Sequence, residues 1–336
     1  MDYKSSGVDV KAGEAAVKAI KNVVKQTYNQ NVLSELGSFG GLYKLDQNQW
    51  KQPILVASTD GVGTKIKVAI MAGIYDTIGQ DLLNHCVNDI LVQGAHPQFF
   101  LDYIGLSGMD TAKVETIIGG LVKACSENSC ALIGGEMAEM PGIYHADDFD
   151  LVGTIIGFVE KDRLIPREIA PGAVLLGFPS TGLHTNGYSL ARKIVFEHLG
   201  LKVDSYVQEL GMTVAETLLS IHKSYYQVLL PYLANQALLG LAHITGGGIE
   251  GNLKRIIPAN CTAEIDLKYP VPPLFTWLKD AGKLADDVAY QAFNMGVGMI
   301  AVVRPELVDA MINETDAFAL GRIVPRRDDA AVILQR

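Results

Sequence analysis

Cysteine is scarce in this chain of 336 residues: Cys86, Cys125, Cys130 and Cys261 show no zinc-ribbon spacing and suit a reducing compartment as small buried hydrophobes. Basic charge is also short, with 28 Lys and Arg against 37 Asp and Glu, a net charge of -9, and no segment forms a basic stripe. That balance argues against nucleic acid or an anionic membrane as partner. The Lys18, Lys21, Lys25 series reads instead as the solvated face of a first helix. No window reaches the roughly 18 apolar residues of a membrane span, and the N-terminus lacks the apolar core of a signal peptide, so a cytoplasmic location is expected. There is no internal repeat and no low-complexity stretch. Two nucleotide-binding signatures are missing as well: a Walker A loop, and a Gly-x-Gly-x-x-Gly after the first strand.

What remains is 49% hydrophobic and 19% charged, the composition of a well-packed enzyme with room for two domains. Apolar steps of three and four predict helices over 13–28, 76–92 and 111–125, the last capped by Asp110. Strands are expected at 54–58, 99–105, 131–134 and 150–160, with Gly135-Glu136 ending the third. A charged segment with two prolines, Lys161 to Gly172, then breaks the texture. It sets a domain boundary near residue 168, giving domains 1–167 and 168–336. In the second half, helices are expected at 187–199 and 213–230, and strands at 173–178, 261–267, 297–303 and 317–324. The alternation predicts two α/β modules with their ligand sites in loops.

Chemistry concentrates in a few loops. Ser58-Thr-Asp-Gly-Val-Gly-Thr-Lys65 follows an apolar run and delivers a carboxylate, two glycines, a hydroxyl and an ammonium, an array suited to a metal-bound polyphosphate. Asp60, Asp89, Asp102 and Glu136 each stand beside small residues at expected element ends. Asp60, Asp89 and Glu136 are the expected magnesium ligands, because that ion takes a few carboxylates and keeps its waters. Lys65 would set its charge against a phosphoryl oxygen. Ser180-Thr-Gly-Leu-His-Thr-Asn-Gly187 and His243-Ile-Thr-Gly-Gly-Gly248 are candidate anion sites, the first just before a helix.

Taken together, Gly37-Ser-Phe-Gly-Gly-Leu42, Ser58 to Lys65, Cys86-Val-Asn-Asp-Ile90, Phe99-Phe-Leu-Asp-Tyr103, Gly134-Gly-Glu-Met-Ala-Glu-Met-Pro-Gly142, His184-Thr-Asn-Gly187 and His243 to Gly248 resemble the aminoimidazole ribonucleotide synthetase family, the phosphoribosylformylglycinamidine cyclo-ligases, over nearly the whole chain. The resemblance implies an α+β (α/β) fold of two domains, with an N-terminal domain that binds ATP and pairs into a dimeric β-barrel. It implies a C-terminal α/β sandwich that carries the substrate cleft, and a homodimer acting on a small nucleotide with ATP and Mg2+. The reaction implied is closure of formylglycinamidine ribonucleotide to aminoimidazole ribonucleotide, with ADP and phosphate released, the fifth step of purine synthesis. Carried over onto this sequence, Gly40, Gly41, Asp60, Gly61, Gly63, Thr64, Lys65 and Asp89 would contact ATP. Asp60, Asp89 and Glu136 would hold the metal. His184, Asn186, Thr245, Gly246 and Gly247 would meet the substrate, and Asp60, Lys65 and His184 would be catalytic, His184 by moving a proton. Thiamine-monophosphate kinases are the nearest alternative, but their pattern lacks the Met-Ala-Glu-Met-Pro-Gly and His-Thr-Asn-Gly pair. Ser5 and Ser6 depart from the family, whose N-termini often have Asp-Ala there.

Overall fold

The computed structural model describes residues 7, 9–46, 48–327 and 329–335, so Ser5 and Ser6 lie outside the described residues. The chain forms two compact units, residues 1–90 with 95–161, and residues 91–94 with 162–336.

The first unit contains helices α1 (Val10–Val24), α2 (Lys65–Ala72), α3 (Asp76–Leu91) and α4 (Thr111–Glu127), and strands β1 (Pro53–Gly61), β2 (His96–Leu106), β3 (Ala131–Glu139) and β4 (Phe149–Glu160). Local chemistry sets several of these bounds. Asp110 starts α4 by accepting from the Lys113 amide at 3.1 Å, and the expected stripe of Val114, Ile117, Ile118, Leu121, Val122 and Cys125 is buried. Along β4 every second residue is buried, which is the period of a sheet covered on one side. The strand order is β1-β4-β2-β3, with only β2 and β3 parallel. Helix α3 lies on the covered face, where Cys86 Sγ reaches the Gly153 carbonyl at 3.9 Å. It also packs backbone to backbone on α4: a Cβ on Gly79 would fall 2.2 Å from the Ile117 carbonyl oxygen, and one on Gly120 would fall 2.4 Å from that of Asp76.

Two expectations need correction. The N-terminal sheet does not form a barrel: β1 and β3 are its open edges, and no sheet among the described residues closes. A sheet closes only where its first and last strands pair, and β1 and β3 are not neighbours here. Strand β3 also runs on to Glu139, because it pairs with β2 as far as Leu106. Glu136 is therefore a strand residue and not a loop residue.

The second unit is built on a six-stranded sheet. Its elements are β5 (Val174–Pro179), α5 (Tyr188–Arg192), β6 (Tyr206–Val207), β7 (Met212–Thr213), α6 (Val214–Leu218), α7 (Tyr226–Leu229), β8 (Leu238–His243), α8 (Gly248–Leu253), β9 (Cys261–Asp266), α9 (Pro273–Ala281), α10 (Asp286–Ala292), β10 (Val297–Val303), α11 (Val308–Glu314), β11 (Phe318–Pro325) and β12 (Val332–Gln335). The sheet order is β12-β9-β11-β5-β10-β8, and β6 pairs with β7 in a separate small hairpin. Strand β10 is buried at all seven positions, as a central strand should be. Because β5 and β8 both pair antiparallel with β10, their C-terminal ends leave the sheet at the same end, on either side of Val297 and Gly298. The loops 180–187 and 244–248 are juxtaposed by that topology.

The single helix expected over 213–230 is two short ones, α6 and α7. Thr213 and Glu216 form a capping box that starts α6, but the chain then leaves helical geometry between Leu219 and Tyr225. Tertiary contacts take the place of helix bonds there. The Ile221 carbonyl accepts from the Thr181 hydroxyl, and the His222 ring is buried against the loop after β5.

Candidate active site

The carboxylates of the first unit are organised by sheet register. Asp60 pairs with Gly153, Gly153 with Asp102, and Asp102 with Gly135, so the four form one row on the covered face. Asp60 and Asp102 are thus two strand spacings apart, about 10 Å. Glu136 lies three strands from Asp60, about 14 Å. It is also one residue out of step with the row, at the β3 edge, where it lines a cavity together with Asp102 and Gly135. The structure brings together Asp60 and Asp89 and leaves Glu136 apart from them.

What joins Asp60 to Asp89 is His85, which the sequence reading missed. Its Nε2 lies 2.7 Å from Asp60 Oδ2 and 3.6 Å from Asp89 Oδ2, and Ser58 Oγ donates to Asp89 Oδ2 at 3.2 Å. Asp81, His85 and Asp89 recur every four residues along α3, so one stripe of that helix faces this end of β1. His85 is 4% exposed while Asp60 keeps 42% of its side chain in solvent. Burial disfavours charge on the imidazole, but the Asp60 hydrogen bond and the negative field of Asp89, Asp60 and Asp81 outweigh it and raise its pKa above the ordinary value.

Lys65 is placed differently from a solvent-facing phosphate ligand. The turn Gly61-Val-Gly-Thr64, with Gly63 at φ +68°, leads directly into α2, whose first residue is Lys65. The lysine side chain is wholly buried, and Nζ lies 2.9 and 2.8 Å from the two Asp81 oxygens. Desolvation lowers the Lys65 pKa, against the attraction and hydrogen bond of Asp81. Thr64 stands at the helix start, and the Gly61 amide donates to Asp60 Oδ1 at 2.7 Å.

A cavity of about 410 Å³ opens in the same unit between α1, the segment 36–39 and β3. Val17, Ile20, Ile118 and Leu132 give it apolar walls, and Gly134, Gly135, Glu136 and Asp102 line it. Asp102 is 8% exposed, and desolvation pushes its pKa up to about 7 despite a backbone hydrogen bond. A Cβ on Gly135 would fall 2.4 Å from Asp102 Oδ1, so only glycine leaves that carboxyl room. Gly41 packs on Ile133, where a Cβ would meet its Cδ1 at 2.7 Å, whereas Gly40 has open space around it.

In the second unit, loop 180–187 is fastened from several sides. Asn294 Nδ2 donates to the Gly182 carbonyl at 2.9 Å, and the Ser180 hydroxyl donates to Asn294 Oδ1 at 3.0 Å. His184 is 1% exposed with φ +61°, and its Nε2 accepts from the Thr181 amide at 3.2 Å. Since a backbone amide can only donate, the neutral ring carries its proton on Nδ1. The ring stacks on His222 at a centroid separation of 4.0 Å and 18° between planes, and His222 Nε2 is 3.1 Å from His243 Nε2. These three histidines offer nitrogens within 4.8 Å of one another. A stack does not chelate, however: imidazole lone pairs lie in the ring plane, and two nearly parallel planes 4 Å apart do not meet at one ion. Gly298 is required beside the stack, because a Cβ there would lie 1.9 Å from the Tyr225 hydroxyl and 2.6 Å from His184 Cε1.

Asn252, also missed in the sequence, holds loop 244–248. Its Nδ2 donates to the carbonyls of Thr245, Gly246 and Gly248 at 3.2, 3.3 and 2.8 Å, and its Oδ1 accepts from the Thr245 hydroxyl at 3.1 Å. Asn186 Oδ1 stands against this loop, 3.4 Å from where a Gly246 Cβ would be, while its Nδ2 is buried with no hydrogen-bond partner. Asn186, Thr245, Gly246 and Gly247 are therefore neighbours. His184 is packed behind them.

Residues 43–159 match the family described as AIR synthase related protein, N-terminal domain, and residues 170–333 match its C-terminal domain counterpart. The phosphoribosylformylglycinamidine cyclo-ligase of Alkaliphilus oremlandii is 45% identical over 329 residues, covering 96% of each chain. Among solved structures, the thiamine-monophosphate kinase of Stenotrophomonas maltophilia superposes with a TM-score of 0.71 at 16% identity, over 94% of this chain and 96% of that one. The hydrogenase maturation protein HypE in complex with ATP gives 0.64 at 17%, over 95% and 91%. At those identities the structural likeness is one of fold alone. It confirms the two-domain α+β architecture.

Proposed function

This chain belongs to the phosphoribosylformylglycinamidine cyclo-ligase family, and from that premise we propose how its residues divide the reaction. The chain catalyses ATP-dependent closure of formylglycinamidine ribonucleotide to aminoimidazole ribonucleotide, releasing ADP and phosphate in de novo purine synthesis. The observation that carries this is 45% identity over 96% of the chain. Residues 1–167 serve ATP binding and self-association, and residues 168–336 serve the nucleotide substrate.

Asp60 and Asp89 hold Mg2+ on the triphosphate. The support for this is that both carboxylates approach the same His85 nitrogen at a partly open edge, with the Ser58 hydroxyl on Asp89, so hard oxygen donors flank one place. When bound, the ion neutralises charge on the phosphate oxygens. The turn 61–64 offers backbone amides beside it, and Gly40 and Gly41 belong to a glycine-rich segment that closes over the nucleotide. Glu136, which lines the cavity beside Asp102, completes the site through a second ion or through the chain's partner copy. Lys65 acts from behind, keeping Asp81 and the α3 stripe in place, and reaches a phosphoryl oxygen only if it leaves Asp81.

Phosphorylating the substrate amide oxygen turns it into a leaving group. The amidine nitrogen of the same molecule then closes the ring with little entropic penalty. Asn186 and Thr245 to Gly247 orient the substrate, with the buried Asn186 amide supplying an uncommitted donor. His184 positions their loop.

The test supplies formylglycinamidine ribonucleotide with Mg-ATP and follows ADP and the aminoimidazole product. ADP without the product, or phosphorylation of thiamine monophosphate in its place, would refute the reading. Within that assay Asp60→Asn is expected to lower turnover on the order of a hundredfold or more. Its unfolding midpoint should hardly move, because the side chain is 42% exposed.

Self-association as a homodimer is supported by the uncovered face of the N-terminal sheet. By register that face carries Leu55, Leu101, Tyr103, Ile156 and Phe158, and Leu55 is 59% exposed. Leu55→Asp is expected to shift sedimentation toward monomer while the unfolding midpoint of the monomer is kept. An unchanged dimer would exclude this face. Among the described residues no helix is long and apolar enough to cross a membrane, and all four cysteines are free and buried, in keeping with a cytoplasmic enzyme.

A further inference from the structure

We propose that His222 is a positioning residue that ties loops 180–187 and 244–248 into one unit, so that its loss weakens binding of the nucleotide substrate and spares that of ATP. The inference rests on the reading that Asn186 and Thr245 to Gly247 meet that substrate.

One ring reaches both loops. His222 is wholly buried, it stacks on His184 with centroids 4.0 Å apart, and its Nδ1 lies 3.3 Å from Thr185 Oγ1. Its Nε2 lies 3.1 Å from Nε2 of His243, the residue that ends β8 and leads into the second loop. Two imidazole nitrogens at that distance share one proton, since two facing lone pairs or two facing N–H groups would repel. The Thr185 hydroxyl suits either arrangement, donating where Nδ1 carries a lone pair and accepting where Nδ1 carries the proton. The bridge therefore holds in both tautomers.

The segment that carries the ring is itself fastened to the first loop. The hydroxyls of Tyr188 and Thr181 donate to the Leu218 and Ile221 carbonyls, and the Tyr225 hydroxyl donates to the Pro179 carbonyl at 2.9 Å. Those bonds fix where His222 stands. An apolar ring would fill the same space without the desolvation that burying an imidazole costs. Here the two nitrogens are used on different loops, Nδ1 toward Thr185 and Nε2 toward His243. Without them Asn186 and Thr245 to Gly247 would be free to shift separately, and a misplacement of about 1 Å can cost on the order of a hundredfold in rate. ATP is assigned to residues 1–167, so its affinity is the internal control.

Calorimetry on the full chain tests the proposal, with β,γ-methylene ATP and Mg2+ alone and then with formylglycinamidine ribonucleotide added at saturating analogue. His222→Phe keeps a ring for the stack and removes both hydrogen bonds, whereas His222→Gln restores a group that can donate or accept toward His243. The phenylalanine variant is expected to bind the substrate about tenfold or more weakly and the ATP analogue within about twofold of the unaltered chain. The glutamine variant should recover most of the loss. In 15N magnetic resonance of the unaltered chain, the two Nε2 atoms should be coupled through one shared proton. Unchanged substrate affinity in His222→Phe, an equal loss for the ATP analogue, a glutamine variant no better than the phenylalanine one, or absence of the coupling would each overturn the proposal. If neither variant folds, the coupling alone decides. An unaltered chain that does not bind formylglycinamidine ribonucleotide sinks the functional reading, whereas binding that His222→Phe leaves intact sinks the bridge alone.

Discussion

Lys65→Met is expected to destabilise the first unit by about 3–5 kcal/mol, the usual loss when one partner of a buried ion pair is removed. The Lys65 side chain and that of Asp81 are both at 0% exposure, so the methionine variant leaves a carboxylate in a dry interior with its nearest cation gone. The double variant Lys65→Met, Asp81→Leu should recover most of that loss, because a buried pair can be replaced by apolar groups at little net cost. Urea unfolding of the single and double variants measures both terms. The double variant also separates two roles for the lysine. If the ammonium serves only to hold Asp81, a stable double variant keeps much of its turnover, whereas contact with a phosphoryl oxygen predicts a stable protein with turnover reduced by orders of magnitude.

Asp102→Asn is expected to raise stability at pH 8 by as much as ~4 kcal/mol and to leave it unchanged near pH 3. The sign follows from the direction of the shift. The carboxyl pKa moves from 3.8 to about 7 in the folded protein, so between those values the folded state binds the proton that the unfolded state has lost. Stability of the unaltered chain therefore falls as pH rises from about 4 to about 7, and this contribution is flat on either side. Asparagine, which does not ionise, removes the slope. Chemical denaturation at several pH values shows the difference directly, and parallel curves for the two proteins would mean that Asp102 is solvated and ordinary. Keeping an acid at such a disadvantage beside the cavity between α1 and β3 fits a functional use of its proton. Loss of turnover in the stabilised variant is the corresponding kinetic result.

Much of the first unit was legible because its signals are local. Asp110 before an apolar stripe is enough to start α4, and the alternation along Phe149–Glu160 is enough to make β4. The glycines around Asp60 mark a real turn between strand and helix. The partner of Lys65, by contrast, lies sixteen residues away on another helix, and an ammonium beside glycines reads as a phosphate ligand when only its neighbours in sequence are visible. His85 could have been found from the four-residue spacing of Asp81, His85 and Asp89, but it sits in a run that reads mainly as buried helix. His222 was hidden for a different reason: residues 213–230 keep a helical pattern, and only contacts from loop 180–187 draw the chain out of it. Glu136 was misplaced because Gly134-Gly135 reads as a strand end, while pairing with β2 carries the strand through.

The row formed by Asp60, Gly153, Asp102 and Gly135 makes this site more sensitive to alignment than to strength. Shifting β1 by one residue against β4 would leave nearly every ladder bond intact and would turn Asp60 to the uncovered face, away from His85. Single-residue insertions or deletions inside β1 or β4 should therefore yield chains that still fold the sheet yet no longer bring Asp60 to His85. The tolerance of this sheet to length changes is set by parity, with two-residue changes the milder kind.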